Sequence, residues 1–166
     1  MLLIDVLLPE YDRETGVTRC LLERIPESRL DWHPHDTSMP LGRLAAHLAD
    51  LPRWVDIIMT RDEYDLDTHV HEAPSMASME DLVVRFDRNV SSARGSLVDA
   101  PDDSLSSPWT LRRGRHDLFK LPRIGALRYF VLNHLVHHRG QLSVYLRMLG
   151  VSIPAIYGPS ADVGTP

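Results

Sequence analysis

The sequence predicts an all-α protein built as a four-helix bundle, and three observations carry the prediction. Four segments repeat apolar residues at the period of about 3.6 that marks a helix with one buried face. Proline, serine and glycine stand where those segments begin and end, at positions that start or stop helices. The chain has 166 residues, enough for one domain, 1–166, to bury a core without disulfides.

The first helix is expected from about Pro9 to Arg24, with Tyr11, Thr18, Leu21, Leu22 and Ile25 on one face. Pro9 suits a first-turn position and Pro26 stops the pattern. The residues before Pro9 read as an extra turn or a packing arm. Cys20 reads as a core residue. A polar connection with His33-Pro34-His35, read as a loop without ligands, leads to a second helix starting near Ser38-Met39-Pro40. Its face is Leu41, Leu44, Leu48, Leu51, Val55 and Ile58, and Pro52 should kink it or end it at Leu51. Arg61 to Ala77 is polar and reads as a loop in which His69 and His71 are solvated.

Ser78, three residues before Asp81, reads as the N-cap of a third helix, striped by Leu82, Phe86, Val90, Ala93 and Leu97 and ending near Asp99-Ala100-Pro101. Asp102 to Lys120 is a long connection with a short hairpin: Trp109-Thr110-Leu111 and His116-Asp117-Leu118-Phe119 flank a turn that includes Gly114. The fourth helix starts near Leu121-Pro122-Arg123 and runs to Leu149, with Gly150 as its C′ residue. Its inward stripe reads Leu127, Val131, His134, His138, Gln141 and Tyr145, with Leu142, Leu146 and Leu149 beside it.

Composition bounds the function. Apolar residues are 43% of the chain and charged residues 25%, an ordinary soluble globular balance. A net charge of −5 gives no electrostatic reason to bind nucleic acid. One cysteine excludes an intrachain disulfide and allows a reducing compartment. The N-terminal stretch lacks an early Lys or Arg and is broken by Asp5, so it does not read as a signal peptide. No apolar run approaches the ~18 residues of a membrane helix. The expectation is a cytoplasmic protein.

His134 and His138 are the anomaly, two imidazoles inside an apolar stripe. On a helix, residues four apart stack on one face roughly 6 Å apart along the axis. Burying imidazoles is unfavourable unless their nitrogens find partners, so two on one face suggest a shared partner. His47 lies three residues after Leu44 and four before Leu51, on the core side of the second helix, and can supply a third nitrogen. Three neutral imidazoles would leave a divalent ion its full charge and an open position. The same pattern also fits core histidines bonded to backbone or to each other. Asp50, about one turn beyond His47, reads as a surface acid, an outer partner of an imidazole or a fourth ligand. Gln141 reads as hydrogen-bonding a ligand or satisfying a buried carbonyl. Tyr145 reads as core, Arg139 as the partner of an acid, Gly140 as a point of close helix approach, and His137 as facing solvent or a partner subunit. The chain carries no catalytic triad, GxGxxG, P-loop or CxxC.

At these residues the chain resembles the DinB/YfiT-like superfamily of metal-dependent enzymes. The resemblance rests on His47 within Leu41-Gly42-Arg43-Leu44-Ala45-Ala46-His47-Leu48-Ala49, on the segment Asn133 to Gln141, and on Tyr157-Gly158-Pro159-Ser160-Ala161-Asp162, in that order. It covers essentially the whole chain. It implies an up-down-down-up bundle, a divalent transition metal (zinc or nickel first) held by His47, His134 and His138, and homodimers. Similar proteins include thiol-dependent S-transferases and a mycothiol-dependent maleylpyruvate isomerase. The resemblance therefore implies that the metal activates a low-molecular-weight thiol for transfer to an electrophilic small molecule. The alternatives are a metal-dependent hydrolase and a non-enzymatic, stress-associated bundle with a structural metal or none. The family name refers to DNA-damage induction and does not imply DNA binding.

Overall fold

The computed structural model describes residues 2–68 and 78–162, so His69 and His71 lie outside the described residues. Its helices are α1 (Leu3–Leu22), α2 (Leu41–Asp50), α3 (Arg53–Thr60), α4 (Met79–Val98), α5 (Arg123–Leu127) and α6 (Asn133–Met148). A π-helical turn, Arg128–Leu132, joins α5 to α6. Leu51 and Pro52 both keep helical backbone angles between α2 and α3. Four rods result: α1, α2–α3, α4 and α5–α6.

Side-chain bonds fix their directions. Arg19 pairs with Asp87 and Arg94 with Asp12, so α1 and α4 are antiparallel. Asn89 donates to the Ala49 carbonyl and Ser96 to Asp56, so α2–α3 runs parallel to α4. Glu10 meets Arg128 and Glu14 meets Arg139, so α5–α6 runs parallel to α1. The order is up-down-down-up, as expected. α2–α3 packs against α4 and α5–α6, antiparallel to the latter, since Arg123 donates to the Ile58 carbonyl while His47 faces His134.

Most local readings hold. Ser78 caps α4 by accepting from the Asp81 amide at 3.0 Å, and Gly150 takes a left-handed φ of 73° beyond α6. Pro52 ends α2 at Leu51, and the amides of Trp54 and Val55 bond three residues back across the joint. The hairpin is β2 (Pro108–Arg113) and β3 (His116–Pro122), antiparallel, turning at Gly114-Arg115 where Gly114 has φ 55°.

Four expectations are corrected. Pro9 lies inside α1, which extends back to Leu3 because Leu7 is buried in the core and Ile4 and Leu8 pack against it. Pro9 and Asp5 are both on the exposed side, so the carbonyl that loses its helical donor can reach water. Cys20 is exposed, not core. The buried face of α1 carries Thr18, Leu21 and Leu22, and Cys20 points roughly 100° from its neighbour Leu21. The segment read as a plain loop after Arg61 contains a third strand, β1 (Glu63–Asp65), parallel to β2. Gly140 meets open space rather than a close helix.

The core falls into two apolar clusters, one toward each end of the bundle. One gathers Leu21, Leu22, Leu44, Leu48, Phe86 and Leu142. The other gathers Tyr11, Ile58, Leu97, Trp109 and Leu127 beneath the hairpin.

Candidate metal centre

His47 projects from α2, and His134 and His138 from α6, into one seam of the bundle. The Nε2 atoms of His47 and His134 are 3.1 Å apart. The ring centroids of the three imidazoles lie 4.5–4.9 Å from one another. One nitrogen from each ring can be chosen so that all three lie within 4.8 Å of one another. Three nitrogens at 2.0–2.1 Å from a tetrahedral ion would be about 3.3 Å apart. The His47–His134 spacing is already near that value. An all-imidazole donor set suits a borderline divalent ion such as zinc or nickel. The cluster therefore has the donors and the spacing to hold one.

The histidines are half-buried, which corrects the inward stripe expected for the fourth helix. The buried face of α6 is Leu135, Arg139, Leu142, Tyr145 and Leu146, whereas Gln141 is exposed. The π turn supplies the reason. It adds one residue to a helical turn, so a stripe that begins at Leu127 and Val131 resumes one position later, at Leu135 and Arg139. His134 and His138 are thereby carried to the margin of the core, where a ligand can reach them.

Electrostatics keep the rings neutral. Burial first, then the neighbouring His138 and His134 and the Arg43 guanidinium, push His47 down to about 4. His134 is lowered by burial and then by His138, against a backbone hydrogen bond at Phe130. His138 is lowered by burial, against its bond to Gln141, with His137 lowering it further. All three rings thus have lone pairs available for a cation at neutral pH. The Gln141 amide oxygen accepts from His138 Nδ1 at 2.7 Å, which leaves Nε2 as the unprotonated atom. Gln141 is in the position of an outer partner of an imidazole, not of a donor to a buried carbonyl.

Other sequence candidates fall outside the cluster. Asp50 turns toward α4 and pairs with Arg85 at 3.4 Å. His137 is exposed, its ring 4.8 Å from that of His138. His33 and His35 sit exposed in their loop, His33 Nδ1 bonding the His35 carbonyl at 2.8 Å. Tyr145 is core, edge-on to Trp32 at 5.5 Å.

Sequence reasoning missed the extent of a second polar centre on α6. Arg139 is 1% exposed and pairs with Glu14, at 6%. It also donates to the Glu14 carbonyl at 3.0 Å and to the Tyr157 hydroxyl at 2.7 Å, while that hydroxyl donates to Glu14 at 2.8 Å. Glu14 occupies a helical position among buried Tyr11, Thr15 and Thr18. An acid inside that stripe was the available clue.

Fold and site together define a helical-bundle protein with a cluster of three histidines, able to hold a metal ion, set in an inter-helix seam. The chain belongs to the DinB family, whose model matches residues 3–165. It is 25% identical over 162 residues to the uncharacterized protein YrdA of Bacillus subtilis strain 168, covering 96% of this chain and 90% of that one. Solved DinB-like proteins share the fold. YjoA of Bacillus subtilis has a TM-score of 0.72 at 21% identity, over 92% of this chain and 98% of that one. A protein of Bacillus cereus ATCC 10987 has 0.70 at 21%, over 90% and 95%. One from Exiguobacterium sibiricum 255-15 has 0.66 at 22%, over 98% of each.

Proposed function

We propose that this protein is a metal-dependent enzyme in which His47, His134 and His138 hold a divalent transition ion, zinc or nickel, and that it transfers a low-molecular-weight thiol to an electrophilic small molecule. The convergence of three imidazoles within 4.8 Å carries the metal part of the reading. When bound, such an ion supplies a Lewis acid that lowers the pKa of a thiol or water at its open position. The residues of the chain do the rest. Gln141 bonds His138 Nδ1 and so leaves Nε2 as its free lone pair, and burial lowers the pKa of all three rings. The Arg43 guanidinium adds the smallest of the influences that lower His47. No carboxylate belongs to the cluster among the described residues. A site of neutral donors with a cationic neighbour favours an anionic ligand such as a thiolate.

The reading includes a homodimer, a cytoplasmic location and small-molecule rather than nucleic-acid substrates. Among the described residues no helix is long and apolar enough to cross a membrane. A second reading rests on the 3.1 Å approach of His47 to His134, which an N–H···N hydrogen bond would also satisfy. In that case the histidines only stabilise the bundle.

The deciding assay loads the protein with zinc or nickel and follows conjugation of small thiols to 1-chloro-2,4-dinitrobenzene. Thiol transfer predicts turnover that stops on metal removal and in His138→Ala while the fold survives. Hydrolysis of activated esters without conjugation would replace it with a hydrolase. Metal binding with neither activity would leave a structural ion.

A further inference from the structure

The chain has three tryptophans, five tyrosines and three phenylalanines, and six of these meet at one joint: Trp54, Tyr64, Trp109, Phe119, Tyr129 and Phe130. Trp54 and Phe130 are its centre, nearly parallel at 23° with centroids 6.0 Å apart. Tyr64 backs Trp54 at 5.2 Å, and fully buried Trp109 backs Phe130 at 5.6 Å. Phe119 and Tyr129 flank Phe130 edge-on at 5.5 and 4.9 Å, and are 38% and 53% exposed. The aromatic group therefore runs continuously from core to surface.

Its position relative to the histidines follows from the helix directions. Trp54 is seven residues after His47 on the α2–α3 rod, just beyond the Pro52 joint. Phe130 is four residues before His134 on the antiparallel α5–α6 rod, inside the π turn, and its backbone bonds the His134 ring. Both displacements point toward the same end of the bundle. The Trp54–Phe130 pair thus continues the seam that holds the imidazoles, and both rings are half-buried rather than sealed. Aliphatic residues would close a helix–hairpin joint equally well. Flat rings with exposed edges offer offset-stacked and edge-to-face contacts that only another planar ring fully uses.

We infer that the metal centre takes substrates with a planar aromatic group, which lies against Trp54 and Phe130 while its reactive atom reaches the three histidines. The aromatic joint is then the specificity determinant of the site, and the inference rests on the metal reading above. An apolar wall beside a few convergent polar groups is the usual lining of a small-molecule site.

The test is calorimetric titration of the zinc-loaded protein with acetohydroxamate, benzohydroxamate, 3-phenylpropanohydroxamate and cyclohexanecarbohydroxamate, which share one metal-binding head. The expected result is that at least one aryl compound binds about tenfold more tightly than acetohydroxamate and several-fold more tightly than the cyclohexyl compound. Phe130→Leu and Trp54→Leu should erase that preference, read as the ratio of aryl to acetohydroxamate affinity within each variant. Equal affinity of all four for the wild type would overturn the inference and leave the metal reading intact. A wild type that takes up no zinc would overturn the metal reading first, and this inference with it. The wild-type series decides the matter even if a variant fails to fold.

Discussion

His138 and Arg139 are consecutive on α6, yet each anchors a different kind of polar centre. Arg139 is sealed in the core with a full set of partners: a carboxylate, a backbone carbonyl and a tyrosine hydroxyl. Charge is matched by charge, and Glu14, Arg139 and Tyr157 tie α1, α6 and the C-terminal segment together. His138 lies at the core margin in a cluster whose members lower one another's basicity and, among the described residues, include no carboxylate. The first arrangement is complete as it stands. The second brings three neutral imidazoles to one point, an arrangement able to hold a cation. Balance of charge and hydrogen bonds, more than burial, separates a structural polar group from a binding one.

The largest effect should come from breaking the sealed centre. Arg139→Met leaves Glu14 buried without its partner and should destabilise the fold by about 3–5 kcal/mol, read by urea denaturation. Adding Glu14→Leu should recover part of that loss. If Arg139→Met unfolded with an unchanged midpoint, the sealed centre would have no structural weight. Next, His47→Ala should weaken zinc binding by about a hundredfold or more, beyond what loss of an outer partner causes. The unfolding midpoint of the metal-free protein should barely move. A large loss of metal-free stability instead would make the triad a second structural centre. Gln141→Leu should come third, at about tenfold in metal affinity, with the fold unchanged because Gln141 is exposed.

The smallest effect concerns pH in the metal-free protein. His47 is held near 4 when folded, below the ordinary histidine value of 6.5. Below that ordinary value the unfolded chain takes up a proton that folded His47 refuses, so stability is full above about 6.5 and falls toward about 4. Denaturation midpoints across that range should show the decline, and His47→Gln should flatten it. A decline of the same size in the variant would place its origin elsewhere.

Much of this was legible in the sequence. Ser78, Pro52, Gly114 and Gly150 each act locally, through a side-chain cap, a missing donor or a left-handed φ, so their outcomes could be read from neighbours alone. The three histidines were legible because imidazoles near apolar stripes stand out. The phase of α6 was not legible. Nothing in Arg128-Tyr129-Phe130-Val131-Leu132 announces a π turn, and one extra residue there exchanged the places of His138 and Arg139 between core centre and core margin. β1 was missed because three residues are too few to show alternation, and its pairing with β2 is a long-range contact. The aromatic joint was missed for the same reason, since its members come from five separate stretches of chain.

The central claim, that the open centre is built for a metal, is tested most directly by elemental analysis. The protein should be purified without a histidine tag or chelator, incubated with zinc or nickel and desalted, with His134→Ala treated in parallel. The account predicts about one equivalent of a transition metal in the wild type, as three imidazoles on one ion require, and none in the variant. No retained metal in the wild type, or equal metal in both proteins, would contradict it and leave His47, His134 and His138 as histidines that satisfy one another.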